Sequence, residues 1–98
     1  MKALACHRLA ASELIASAKF YERQRATLGA AFLAAVDATL AYIQRHPELG
    51  RPGNHSTCSR KTARFPFRIV YREEAGRLWI VAVSHLSRRP DYWNRRLH

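Results

Sequence analysis

Two stretches of alternating apolar and polar residues, 65–73 and 77–85, flank a short turn at Ala75-Gly76 and constrain the fold more than any other feature. Successive side chains of a β-strand point to opposite faces, so this pattern predicts a β-hairpin with one apolar face. The apolar residues of the first strand that share a face are Phe65, Phe67, Ile69 and Tyr71. A hairpin with such a face needs a second layer to cover it.

The turn of this hairpin predicts its register. If Glu74 pairs with Arg77 across the turn, two further pairs follow along the strands. These are Arg72 opposite Trp79 and Arg68 opposite Val83. His85 would then lie with Arg68 and Arg72 on one face, and helices would cover the other face.

Helical periodicity between the first strand and the hairpin supplies that second layer. Residues 2–8 alternate loosely and predict a short strand, and Ser12 is a suitable N-cap for the first helix. Two apolar stripes follow, Leu14, Ala18 and Tyr21 with Ile15 beside them, and then Leu28, Phe32, Val36, Leu40 and Ile43. The second helix must end before Pro47, and the short Thr27-Leu28-Gly29 break predicts an antiparallel helical hairpin.

The resulting fold class is α+β, with the order β-α-α-β-β-β and a short C-terminal helix. Turn-forming residues make 50–56 a loop, and residues 57–63 fit a polar strand. We therefore expect a small antiparallel-rich sheet packed against an N-terminal helical hairpin. Residues 1–98 are expected to form a single domain, since 98 residues are enough for one core.

The charge of the chain indicates an anionic partner. The net charge is +10, and residues 60–98 carry +7 of it whereas residues 1–50 carry +2. The histidines and the two cysteines lack metal-ligand spacing, so no metal and no cofactor is expected. No apolar run reaches the length of a membrane helix, so the sequence predicts a cytoplasmic protein with no membrane contact.

Several motifs occur in a characteristic order along the chain. They are Tyr21 in the first helix, Leu28-Gly29 at the break, His46-Pro47-Glu48-Leu49-Gly50 after the second helix, Phe67-Arg68-Ile69-Val70-Tyr71, and the ending His85-x-x-Arg88-Arg89-Pro90-x-Tyr92-Trp93. Taken together, they resemble the RelE/ParE superfamily of toxins from type II toxin–antitoxin modules. The resemblance spans essentially the whole chain. It implies a sheet backed by a helical hairpin, and a cognate antitoxin whose acidic, partly disordered segment folds over the toxin.

The resemblance leaves two targets open. RelE-like members cleave ribosome-bound mRNA, which requires a base, an acid and cations for the phosphorane charge. On that branch His85 is the candidate acid or base, and Tyr92 is a candidate stacking or proton-transfer group. Arg68 and Arg72 would stabilise the charge, and Lys61 or Arg64 would supply further cations. ParE-like members poison DNA gyrase and have no established hydrolytic site, so the branch decides whether the protein is an enzyme.

The ending after His85 favours the ParE-like branch. RelE-like members carry a lysine-rich cluster or a glutamate ahead of the Arg68 strand, and here that segment has one lysine and no acid. The candidate target-binding residues are Arg64, Arg68, Arg72, His85, Arg88, Arg89, Tyr92 and Trp93. Three alternatives stay open: His85 fixes a turn, the arginines line a solvated or antitoxin-covered face, and Tyr92 and Trp93 anchor the tail to the core. A plain nucleic-acid-binding module and an inactive or repurposed toxin are two further alternatives.

Overall fold

A computed structural model describes residues 1–97 as two helices and five strands. Their bounds are β1 Ala3–Cys6, α1 Arg8–Gln24, α2 Leu28–Arg45, β2 Arg51–Pro52, β3 Cys58–Lys61, β4 Phe67–Glu73 and β5 Arg77–His85. Short 3-10 helices follow α2 at Pro47–Leu49 and end the described chain at Asn94–Leu97. The α+β class, the helical hairpin and the C-terminal helical turn are as the sequence predicts.

The strands form one mixed sheet in the order β1-β5-β4-β3-β2. β1 runs parallel to β5, and the other three pairs are antiparallel. One strand was missed: β2, in the segment predicted as a loop, pairs Arg51 with Ser59 and Pro52 with Cys58. Proline is tolerated there because β2 is an edge strand with no further neighbour to receive an N–H.

α1 begins earlier than the sequence predicts. His7, and not Ser12, is the N-cap, and its Nδ1 accepts a hydrogen bond from the backbone N–H of Leu9 at 3.0 Å. Ser12 lies inside the helix, where its hydroxyl donates to the carbonyl of Arg8 at 3.0 Å. An imidazole acceptor thus takes the capping position that sequence preferences assign to serine.

The main core lies between the helical hairpin and one sheet face. α2 contributes Phe32, Val36 and Ile43, and the sheet contributes Ile69, Tyr71 and Leu78, all at most 1% exposed. From α1, Leu14, Ala18 and Tyr21 pack against this core. Ile15, predicted on the same stripe, is 55% exposed because the helix turns it past the sheet.

A β-bulge in β5 changes the predicted register. The turn pair Glu74–Arg77 and the pairing of Arg72 with Trp79 are as predicted. Beyond them Tyr71 pairs with Ile80 and Val70 with Ala82, so Val81 is an extra residue. The expected partner of Arg68 was therefore wrong: Arg68 lies opposite Ser84, not Val83.

The same bulge places His85 on the opposite face from the one predicted. His85 pairs with Phe67, and their ring centroids lie 5.1 Å apart in an edge-on arrangement. An inserted residue shifts every later side chain to the other face, because the side-chain period of a strand is two. His85 accordingly sits on the helix-covered face, whereas Arg68 and Arg72 lie on the other.

The C-terminal tail packs on the sheet face away from the helices. Trp93 is 6% exposed and forms a second cluster with Val70, Val81 and Ala82. The alternative in which Trp93 anchors the tail to the core is thus confirmed. No helix among residues 1–97 is long and apolar enough to cross a membrane.

Tyr71 links the sheet to the segment after α2. Its hydroxyl donates to the carbonyl of Pro47 at 2.7 Å, while the ring is 1% exposed. Tyr71→Phe should lower the free energy of unfolding by about 1.5 kcal/mol, since the carbonyl loses its partner in a partly buried place. Urea denaturation measures this. Tyr42→Phe is the matched control, because that hydroxyl has no hydrogen bond within residues 1–97, and it should change stability by less than about 0.5 kcal/mol. Equal losses would contradict the assignment.

Candidate functional site

The strand register gathers cations on the sheet face away from the helices. Two rows of paired residues cross that face, namely Arg51, Ser59 and Val70, and then Lys61, Arg68 and Ser84. Paired residues of neighbouring antiparallel strands project to the same side, so Arg51 and Arg68 stand on one surface. A cavity of about 280 Å³ opens above these rows.

Two loops form the wall of this cavity, 53–57 before β3 and 86–91 after β5. Asn54 Nδ2 donates to Asp91 Oδ2 at 2.6 Å and so ties the loops together. His55, Ser56 and Asp91 have left-handed backbone angles, with φ of 59°, 60° and 60°. Non-glycine residues adopt such angles at a cost, and they concentrate at functional sites.

Four arginines line the cavity: Arg51, Arg68, Arg88 and Arg89. We refer to it as the arginine cavity. Within residues 1–97 none of these four forms a salt bridge with a carboxylate. The one acidic residue in the lining is Asp91, which accepts the hydrogen bond from Asn54. The cavity therefore carries an excess of positive charge that attracts anions.

Some of the candidate residues named in the sequence analysis line the arginine cavity, and others do not. Those that line the arginine cavity are Arg68, His85, Arg88, Arg89 and Trp93. Arg64 and Arg72 do not. Arg64 lies in a turn over the ring of Phe65, and Arg72 donates to Glu74 at 3.0 Å. Tyr92 lies beside the cavity, where the guanidinium of Arg88 stacks 3.8 Å from its ring centroid.

His85 holds the turn into the 86–91 loop. Its Nδ1 accepts from the backbone N–H of Ser87 at 3.0 Å, and the hydroxyl of Ser87 lies 2.7 Å from the same atom. The carbonyl of His85 also accepts from the N–H of Arg88 at 3.0 Å. This geometry is that of the turn-fixing alternative.

Glu13 of α1 binds the tail and β5 at once. Arg96 donates through both terminal nitrogens to its two carboxylate oxygens, each at 2.9 Å, and Tyr92 donates its hydroxyl at 2.6 Å. The N–H of Val83 donates to the same carboxylate at 3.1 Å, and Arg96 also donates to the carbonyl of Val81 at 3.0 Å. The pair is largely buried, with side chains 16% and 11% exposed.

This network shifts the pKa values of its members. Burial by itself raises the pKa of Glu13, but the hydrogen bonds from Arg96, Tyr92 and Val83 outweigh it, so the pKa is lowered. Burial, and then the bond to the Glu13 carboxylate, raises the pKa of Tyr92 to about 12. Near neutral pH the carboxylate is charged and the phenol keeps its proton.

A second concavity, of about 390 Å³, lies between α1 and the end of β5. We refer to it as the helix groove. Its lining includes Ala16, Phe20 and Tyr21 from α1 together with Phe67, Val83, His85 and Arg88. Phe20 is 51% exposed there. An exposed aromatic in a largely apolar groove, with the charged side chains of Glu13 and Arg88 in its lining, is typical of a protein–protein contact.

Three residues of these sites were missed by the sequence analysis. Arg51 lies in a segment predicted as a loop, and only the pairing of β2 with β3 places it beside Arg68. Glu13 and Arg96 are 83 residues apart, and no spacing rule relates them. The only signal in the sequence for this ion pair was that Glu13 is the one acidic residue in the first half of α1.

A helical hairpin on one face of a small sheet is the architecture that the RelE/ParE resemblance implies, and the structure has it. Comparison with known families assigns the branch. The family model for the ParE toxin of the type II toxin–antitoxin system, parDE, matches residues 4–90. The chain therefore belongs to the ParE toxin family, and it is the toxin component of a type II toxin–antitoxin system.

A solved structure shares this fold. The chain is similar to one described as the chromosomal ParDE TA system from P. aeruginosa, with a TM-score of 0.68 and 20% sequence identity. The match covers 89% of this chain and 98% of that chain. No curated protein matches the sequence.

The Glu13 network predicts a specific acid sensitivity. A lowered folded-state pKa means that the contribution of Glu13 is complete above its ordinary value of 4.5 and is lost as the pH falls through the lowered value. Glu13→Gln should cost about 2–3 kcal/mol of unfolding free energy at pH 7, because Arg96 and Tyr92 lose their charged acceptor. The gap between variant and parent should narrow toward pH 3 in urea denaturation.

Glu73→Gln is the matched control for this prediction. Glu73 pairs with Lys2 at 3.1 Å on the surface, with side chains 45% and 36% exposed. Exposed pairs contribute little, so this variant should lose less than about 1 kcal/mol. A constant gap between Glu13→Gln and the parent from pH 7 to 3 would contradict the Glu13 assignment.

Proposed function

We propose that this ParE family toxin inhibits growth by poisoning DNA gyrase, and that a cognate antitoxin neutralises it with an acidic segment. The toxin assignment rests on the family match over residues 4–90. The choice of DNA gyrase as the target goes beyond that family match. The competing target is ribosome-bound mRNA, which the toxin would cleave as a metal-independent ribonuclease.

The observation that carries the choice of target is that two candidate proton-transfer groups are held in structural hydrogen bonds. The Tyr92 hydroxyl donates to Glu13 at 2.6 Å, and its pKa is raised to about 12. An acid–base catalyst works best with a pKa near the operating pH, so this phenol is poorly suited to either step.

His85 is also engaged. Its Nδ1 accepts from the N–H of Ser87, and its ring packs against Phe67 on the helix-covered face. Arg68 and His85 both line the arginine cavity, but Arg68 leaves the sheet on the opposite face. Arginine remains protonated and supplies charge stabilisation without the proton transfer that cleavage at the 2′-OH requires. These positions support a non-catalytic working face, as expected of a gyrase poison.

The helix groove supports the antitoxin part of the proposal. Phe20 and Tyr21 offer an apolar surface, and Arg88 lines the groove with them. The Glu13 carboxylate, also in the lining, is already engaged by Arg96 and Tyr92. An amphipathic helix with acidic residues along its border fits this combination, because apolar anchors give affinity and the charges guide encounter. A segment that folds on binding suits a toxin with a net charge of +10.

Induced expression of the toxin tests the target. With gyrase as target, plasmid DNA from arrested cells should lose negative supercoiling or carry gyrase-linked breaks, while bulk mRNA stays intact. Agarose gels and primer extension on abundant transcripts measure the two outcomes in the same culture. Intact supercoiling with codon-positioned mRNA cuts would reject gyrase, and loss of those cuts in Arg68→Ala and His85→Ala would identify the ribonuclease branch.

The groove predicts where the antitoxin binds. The cognate antitoxin is expected as a small acidic protein encoded in the neighbouring reading frame. Phe20→Ser should weaken its binding at least roughly tenfold in calorimetric titration, since an anchor aromatic contributes about 1.5–2 kcal/mol or more. Leu33→Ser is the matched control, because Leu33 is 39% exposed on α2 and does not line the groove. Equal affinities of the two variants would place the antitoxin elsewhere.

A further inference from the structure

We infer that the arginine cavity is a binding site for a backbone phosphate of DNA. The inference rests on the proposed function, because a gyrase poison acts where gyrase holds DNA. It gives the toxin a contact with the nucleic acid in addition to any contact with the enzyme.

The first support is that the arginines of the cavity form no salt bridges within residues 1–97. Within residues 1–97, Glu74 and Glu13 neutralise Arg72, Arg77 and Arg96 through salt bridges of 2.8–3.0 Å, whereas the four cavity arginines have no such partner. Clustered guanidiniums repel one another, and the one carboxylate in the cavity lining, that of Asp91, accepts the hydrogen bond from Asn54. Four arginines against one acid leave an excess of positive charge that is suited to an external anion. Planar guanidinium groups match phosphate oxygens through paired N–H donors.

The second support is the rigidity of the site. Arg51 of β2 and Arg68 of β4 project from strands that both pair with β3. Ser59 pairs with Arg51, and Ser84 pairs with Arg68. The Asn54–Asp91 bond ties together the loops that carry the cavity wall. Donors held on strands and tied loops lose little freedom when an anion binds, which increases affinity.

The third support concerns the class of anion. An acidic peptide needs apolar anchors for stable binding, and the exposed aromatic anchor lies in the helix groove, where Phe20 is 51% exposed. In the arginine cavity Trp93 is 6% exposed, and Leu86, at 44%, is the exposed large apolar side chain of the lining. The accessible donors there are guanidiniums and hydroxyls. A volume of about 280 Å³ is at the small end for ligand sites, and it suits a phosphodiester better than a folded segment.

The cationic row extends beyond the cavity. Lys61 pairs with Arg68, is exposed, and projects from the same face. A DNA strand seated in the cavity would therefore find a further cation along its path. Phosphate contacts of this kind give affinity that depends on salt and not on base sequence.

Fluorescence anisotropy with a short labelled DNA duplex tests the inference on the purified full-length toxin without gyrase. Titrations between about 50 and 200 mM salt give the slope of log affinity against log salt, whose magnitude is roughly 0.9 for each phosphate that the protein neutralises. Arg51→Gln with Arg68→Gln should weaken binding about tenfold or more and reduce the slope by roughly 1.8.

A matched double variant separates the cavity from the general charge. Arg25→Gln with Arg45→Gln removes the same charge from exposed positions that do not line the cavity. It should change the slope far less. Arg68→Lys keeps the charge but loses the planar fork, so affinity should fall while the slope stays the same. Thermal melting of each variant checks that the fold is retained.

Each outcome decides the inference. Equal slope changes in the two double variants would overturn it, since binding would then follow net charge alone. A glutamate-rich peptide that binds in a cavity-dependent way, while DNA binding is unaffected by the cavity variants, would assign the site to a carboxylate segment and also overturn it. Supercoiling assays with wild-type toxin test the gyrase proposal separately, because cavity-dependent DNA binding is measured in the absence of the enzyme.

Discussion

The ion pair of Glu13 with Arg96 is the interaction on which the arrangement of the C-terminal tail beside both concavities depends. β1 ends at Cys6, opposite Ile80, so β5 has no strand beside it on that edge from Val81 onward within residues 1–97. Glu13 accepts from the N–H of Val83, and Arg96 donates to the carbonyl of Val81. Unpaired backbone groups in a partly buried place cost free energy, and this ion pair satisfies two of them while it fixes the tail.

The fixed tail in turn positions both candidate sites. The hydroxyl of Tyr92 donates to Glu13, and the guanidinium of Arg88 stacks on the Tyr92 ring. Arg88 lines both the arginine cavity and the helix groove. Trp93 seals the sheet face beside the cavity. A toxin with one surface for its target and another for its antitoxin would link the two through such a shared residue. Arg88 and His85 are the residues that line both concavities.

The sequence predicted the fold well where periodicity is strong. The stripe from Phe32 to Ile43 and the alternation around Ile69 specify which faces are buried, and burial of apolar area is the main driving force of folding. Prediction failed where a single local event changed the outcome. An extra residue at Val81 moved His85 to the other face, and the imidazole of His7 replaced Ser12 as helix cap. Neither event leaves a signature in residue type.

The sequence by itself determined the α+β class, the helical hairpin and the basic character of the C-terminal half, because these follow from local patterns and from net charge. Tertiary structure alone decided which charged side chains lie together. Arg51 joins Arg68 through two strand pairings, and Glu13 meets Arg96 across 83 residues. Such contacts depend on strand register and on a bulge, which are set by the packing of the whole sheet and not by neighbouring residues.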